Sequence, residues 1–367
     1  MEYDDWYPIM ETVMHMRLAT SVLLLTLMTT GCSNGISYIR DHGISNFVCD
    51  NNRSIISGMN NDAYDWSPDG RYLAYTRRND STGRNGLFVR NMRTHVDRQM
   101  VSHIVGDVHH TFDWSPDGDA IVFEHDVCTT CDANISRVEM ETGFIRLMTP
   151  LTTNDMQPNW APAGDRIAFV SERSASGQDV FWMNSDGTSR SSLTDSVEND
   201  SYPVWSPDST RIAFIRRETR SQRRVGIATI ARDELTGAVM TLVAGFQDIG
   251  YLSWSPDGSK LLFHGRAVGM NRSAVYTVNS DASNLTRLSS VNNGIYRDVD
   301  DMFPSWSPDG SKIAFTRSAR FTRSDGVEYL GQGMLFEMDA NGMNKLRLGD
   351  LEFNNTTAWR PIKLFCL

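Results

Sequence analysis

The sequence has little lysine, little cysteine and no long apolar run. Of its 35 basic residues only Lys260, Lys312, Lys345 and Lys363 are lysine, a bias that by itself points to no function. Five cysteines in 367 residues are too few for a fold built on disulfides. The longest largely apolar run, residues 18–28, falls short of the ~20 residues that a membrane-spanning helix needs. Positive charge is also in deficit. With 45 acidic residues the net charge is -10, which argues against a nucleic-acid binder, whose affinity comes largely from neutralising phosphates. What is present suffices for a large core: 40% of residues are apolar and 22% charged. At roughly 150 residues per domain the chain allows two or three ordinary domains, or one large all-β domain.

The apolar run near the N-terminus has the length of a signal-peptide core, with Arg17 before it as the positive flank. Thr30-Gly31-Cys32 follows and resembles the lipobox of bacterial lipoproteins, in which the cysteine is lipidated and becomes the first mature residue. Thr29 departs from that pattern, which usually carries Leu there, and a plain cleaved signal is the alternative. Glu2, Asp4, Asp5 and Glu11 put negative charge where a signal is normally positive, so residues 1–15 read as a mis-assigned start, with translation beginning at Met14 or Met16. The expected layout is a signal peptide over 1–31, a lipidated tether over 32–35 and a single domain over 36–367.

That domain is one unit repeated. Trp66-Ser67-Pro68-Asp69-Gly70 recurs from Trp114, Trp254 and Trp306, with degenerate copies at Trp160 and Trp205 and a stub at Trp359-Arg360-Pro361. Successive Trp spacings are 48, 46, 45, 49, 52 and 53, and seven of the nine tryptophans fall in this register. Each Trp should end a short strand. Pro then fixes φ, Asp bonds back to the backbone and Gly supplies the left-handed residue that closes the turn. An apolar second strand follows, such as Ile313-Ala314-Phe315, then a third such as Val275-Tyr276-Thr277-Val278, then a weak fourth. Four short strands in about 45 residues make one propeller blade.

The Trp-Ser-Pro-Asp-Gly unit with its Lys/Arg-Ile-Ala-Phe strand resembles the WD40-like repeat of the TolB propeller family, across essentially the whole expected domain. The resemblance implies an all-β propeller of four-stranded blades. Trp359 leaves no room for a complete blade after it, while residues 36–39 and 46–49 read as outer strands before the first unit. The expectation is therefore seven blades, the last shared by both termini, with six as the alternative. A shared blade would bring Cys49 and Cys366 together, and a disulfide there could contribute about 4 to 5 kcal/mol in the chain-entropy model. Two independent thiols are the other reading. Cys128 and Cys131 form a Cys-x-x-Cys in a loop with no βαβ pattern around it, which favours a local disulfide over redox catalysis.

Propeller loops on one face carry two charge patterns. Loops between second and third strands are basic, most densely at Arg216, Arg217, Arg220, Arg223 and Arg224. Loops entering the inner strands are acidic, as at Asp195, Glu198 and Asp200, and at Asp298, Asp300 and Asp301. An acidic funnel inside a basic rim is expected, able to orient a charged partner. Solvation of exposed loops is the plainer explanation for any single residue. Histidines cluster too. His109 and His110 enter an inner strand and His125, Cys128 and Cys131 follow, which makes His109, His110, Cys128 and Cys131 the alternative zinc set. Calcium would need acidic loops of a kind not found here, and the expectation is no cofactor.

The function expected is a non-enzymatic, monomeric binding scaffold on the periplasmic side of the bacterial cell envelope. It would be held to the membrane by the lipid at Cys32 and present one face to a protein, peptide or glycan. Ser33 lacks the Asp associated with inner-membrane retention, which favours the outer membrane. The proteins that name the family carry a further α/β domain before the propeller, and here the first strands follow soon after Cys32, so their role does not transfer directly. Two alternatives remain: a propeller lyase or glycosidase using funnel carboxylates and a metal, and a detached propeller of the kind found on prolyl peptidases.

Overall fold

The structure, a computed structural model, describes residues 35–40, 43–46, 53–56, 64–79, 81–102, 107–127, 132–173, 177–195, 197–219, 222–229, 239–289, 299–322, 328–351 and 360–362. The signal and lipobox, all five cysteines, Arg220, Asp298 and Trp359 lie outside these residues. Within them the regular structure is all β, with no helix.

The sheets follow one another along the chain. The first is built from β1 (Gly35–Arg40), β2 (Gly43–Asn46) and β3 (Arg53–Ile56). Next come β4 (Tyr64–Trp66), β5 (Tyr72–Arg78), β6 (Asn85–Asn91) and β7 (Asp97–Val101). A third sheet has β8 (Asp107–Trp114), β9 (Ala120–Asp126), β10 (Ala133–Glu139) and β11 (Ile145–Leu147). The fourth has β12 (Asn154–Trp160), β13 (Arg166–Arg173), β14 (Gly177–Asn184) and β15 (Ser191–Ser192). A longer run comprises β16 (Asn199–Trp205), β17 (Arg211–Thr219), β18 (Gln222–Thr229), β19 (Val239–Trp254), β20 (Lys260–Ala267), β21 (Ala274–Asn279) and β22 (Thr286–Arg287). The last full sheet has β23 (Val299–Trp306), β24 (Lys312–Thr322), β25 (Glu328–Asp339) and β26 (Leu346–Leu351). Finally β27 (Arg360–Ile362) returns to pair antiparallel with β1, Gly35 opposite Ile362, so both ends of the chain feed one sheet.

Among the described residues, five sheets therefore have four strands and one has seven. This corrects the expectation of seven separate blades, and of six. The cause is β19. In the fourth sheet, the outer strand gives way to a polar stretch at Asp195 before the next inner strand. In β19 the corresponding segment, Val239-Met240-Thr241-Leu242-Val243, stays apolar and Phe246 is buried, so the strand continues unbroken. Its first half pairs with β18 and its second with β20, and the one sheet carries two of the Trp units, Trp205 and Trp254.

The Trp-Ser-Pro-Asp-Gly turn works as its composition demands. In the turn after β23 the Ser307 hydroxyl donates to Asp309 (2.6 Å) and accepts from the Lys312 amide (2.8 Å), while Asp309 accepts from the Ser311 amide (3.0 Å). That serine bond, the first cause of the shift, holds the Asp309 carboxyl below its ordinary value. Gly310 sits at φ 71°, and a Cβ added there would stand 3.4 Å from Pro256 of the preceding unit's turn, so the two turns are close neighbours. The Trp before each turn fills the space between sheets. Trp160 of β12 packs among Ala120, Val122, Ile135 and Met148 of the preceding sheet, and Trp306 among Leu262, Val275 and Leu288. Burying such a ring contributes roughly 2–3 kcal/mol, which makes the Trp register the main determinant of how neighbouring sheets dock.

Candidate functional site

Three inner strands carry an aspartate five residues before their Trp: Asp155, Asp200 and Asp301, all with no exposed surface. A bare buried carboxylate is costly, so each has an arginine. Asp200 and Arg216 are register partners across β16–β17, joined by two bonds of 2.7 Å, with Glu198 a further 3.5 Å from Arg216. Asp301 and Arg317 are register partners across β23–β24, at 2.6 and 2.8 Å. Opposite Asp155 the second strand has Ser171, too short to pair; Arg190, from just before β15, reaches in instead (2.9 and 3.1 Å) and bonds Ser171 as well (2.6 Å). The guanidinium planes lie against phenylalanines two residues earlier or one strand over: Arg216 on Phe214, Arg317 on Phe315 and Phe336, and Arg190 on Phe169 and Phe181.

The expected separation into acidic funnel and basic rim is thereby corrected at these positions. Asp300 and Asp301 lie inside the sheet and offer no surface to a partner. Asp300 accepts from the Ser273 amide at the start of β21 (2.7 Å), a link between sheets that Asn154 and Asn199 repeat on Ala133 and Gln178. Arg216 is committed to Asp200. Arg217 is exposed, and Arg223 is partly exposed and paired with Asp248 at 3.2 Å. The backbone of Arg224 lies in β18 and that of His109 and His110 in β8; their side chains lie outside the description, as do Cys128 and Cys131. Among the described residues no group of three or more His, Cys, Asp or Glu side chains could hold a metal ion.

A second feature was missed in the sequence. Gln157, Tyr202, Tyr251 and Phe303, each three residues before a Trp, adopt φ of 54°, 54°, 55° and 53°. Left-handed backbone is a real outlier for rings of this size and costs about 1–3 kcal/mol per residue. Every one of the four lies at a β-bulge where the inner strand slips register against its neighbour. Such bulges re-aim side chains. Tyr202 and Tyr251 end up 51% and 41% exposed, and the Tyr202 amide donates to the Gln157 side chain of the adjacent inner strand (2.7 Å). Tyr251 and Phe303 meet edge to face, ring centres 4.7 Å apart. His264 of β20 lies against both rings, and its Nδ1 accepts from the Phe303 amide at 3.4 Å. Burial pushes this imidazole down to about 4, against the opposing pull of Asp248 and Asp300 and with Arg223 lowering it further. The signal in the sequence is a Gln, Tyr or Phe before Pro158, Pro203 and Pro304, each two residues ahead of a Trp.

A polar cleft of about 580 Å³ opens beside the Asp155–Arg190 pair, lined by Asp132, Thr152, Thr153, Asn154, Glu172 and Arg190. Asn154 bonds Glu172 across it at 2.6 Å.

A succession of Trp-keyed antiparallel sheets with their inner strands side by side defines a β-propeller. Residues 46–298 match the TolB beta propeller domain, and the chain belongs to that family. No curated protein matches it. Among solved structures, TolB from Acinetobacter baumannii is 15% identical over 86% of this chain and 78% of its own, with a TM-score of 0.54. An oligogalacturonate lyase from Vibrio parahaemolyticus is 11% identical, covering 87% of this chain and 85% of its own (TM-score 0.59). A prolyl endopeptidase is 11% identical over 86% of this chain and 50% of its own (TM-score 0.61). These likenesses establish the fold, which serves binding proteins and enzymes alike.

Proposed function

We propose that the protein is a non-enzymatic binding scaffold of the bacterial cell envelope. In this reading it is anchored on the periplasmic side through a lipid at Cys32, in the outer membrane, and offers one propeller face to a protein, peptide or glycan. The observation that carries it is the pairing of the inner-strand carboxylates. Asp155, Asp200 and Asp301 each meet an arginine at 2.6–3.1 Å, so they hold strands together and are not poised as a general acid and base. Membership of the TolB propeller family supports the envelope setting. Arg217, Arg223 and the loops around them remain the contact surface for such a partner.

The test is photo-cross-linking in cells from Arg217 and from Val197, which is 94% exposed. One dominant envelope component captured from these positions, and lost from positions on the outer strands, is the expected result. No reproducible adduct, together with turnover of an oligosaccharide or peptide that stops in Asp132→Asn or Glu172→Gln, would replace the scaffold with an enzyme using the cleft.

A further inference from the structure

We infer that the aromatic bulges of β16, β19 and β23 form a stacking platform for the pyranose rings of a neutral glycan. The inference deepens the scaffold reading and rests on it. Tyr202, Tyr251 and Phe303 occupy the same repeat position on consecutive inner strands, so they stand at one level of the propeller. Their backbone is held in a conformation that favours glycine, yet each carries a ring. Strain of this kind persists where the surroundings impose it and is concentrated at binding sites.

The support behind the rings is built. His264 lies against Tyr251 and Phe303, with ring centres 5.8 and 5.5 Å away, and accepts a bond from the Phe303 amide. It can come this close because Gly250 has no side chain: a Cβ there would stand 2.7 Å from the imidazole. Tyr251 and Phe303 meet at 85° in a corner where Tyr251 is 41% exposed, with exposed Tyr202 on the neighbouring strand.

Charge selects the ligand class. Three charged pairs beside the platform are matched within the protein, Asp200 with Arg216, Asp301 with Arg317 and Asp248 with Arg223. Ion pairing of a ligand with any of these six groups would have to break its pair. Exposed aromatic faces offer instead their electron-rich surface, which attracts the electropositive C–H face of a sugar ring. Phenol and amide groups at the edge, from Tyr202 and Gln157, suit hydroxyls better than an apolar side chain, which binds best when enclosed.

The test uses the full chain in detergent with cellohexaose, maltohexaose and chitohexaose, read by saturation-transfer NMR and titration calorimetry, with a decaproline peptide in parallel. At least one hexasaccharide should bind, with the transfer on ring protons. Tyr251→Gly and Phe303→Gly should each weaken it at least about tenfold while keeping the fold, because glycine suits φ near 55°. Tyr251→Trp, which keeps an aromatic face, should retain binding. No hexasaccharide response, binding untouched by both glycine variants, or binding of decaproline alone would overturn the inference. A protein captured by cross-linking without any sugar response would do so and leave the scaffold reading standing.

Discussion

Asp301 and Arg317 face each other across β23 and β24 as an ion pair with 0% and 1% of their side chains exposed. Two charges so deeply placed stabilise the sheet only as long as both are present, because each alone would be an uncompensated charge in an apolar setting. Asp301→Leu should therefore destabilise the protein by about 3–5 kcal/mol, and the double variant with Arg317→Met by much less. Urea unfolding of the single and double variants measures this. Equal losses in both would show that the carboxylate acts through some other contact.

The Asp300 carboxylate caps the Ser273 amide where two sheets meet, a place that two other sheets give to Asn. Asp300→Asn should be nearly silent. Asp300→Leu should cost about 1–3 kcal/mol by stranding a buried donor, visible as a lowered thermal midpoint.

His264 makes stability depend on pH. Its folded value of about 4 lies below the ordinary 6.5, so between these values the unfolded chain binds the extra proton. The stabilisation is complete above pH 6.5 and is lost as pH falls towards 4, by on the order of 2 kcal/mol. Denaturant melts at pH 7.5 and 5.0 should show the drop in the wild type and a smaller one in His264→Gln. An unchanged drop would assign it to other groups.

The Trp turns were legible in the sequence because they are local: Ser307, Asp309 and Gly310 satisfy one another within five residues. The sheet count was not, because the continuation of β19 depends on what Val243 and Phe246 pack against far along the chain. Asp200 and Arg216 could be singled out as a charged cluster, but their burial follows from cross-strand register, which no single-sequence pattern displays. The aromatic bulges were missed for a backbone reason. Nothing in the letters around Tyr251 announces a left-handed tyrosine.

That conformation predicts a stabilising substitution. Tyr202→Asn, with a side chain that tolerates left-handed backbone, should raise stability by up to about 1 kcal/mol. Chemical denaturation decides it, and a loss would mean that the ring contributes packing beyond the strain it imposes.

The lipid anchor proposed at Cys32 has a direct assay. Cys32→Ser should abolish incorporation of labelled palmitate and move the protein from the membrane fraction to the soluble periplasm. Retention of both would place the acylated residue elsewhere, and an unlabelled wild type would leave a plain exported chain.

The unbroken β19 has a mechanical meaning. Elsewhere among the described residues, consecutive sheets meet through separate strands. Across the seven-stranded sheet the junction is a hydrogen-bonded strand of 16 residues, so its two Trp units are coupled through one continuous ladder. A load applied to the propeller would be taken up at the other seams, and amide exchange across residues 239–254 would report one cooperative opening, not two.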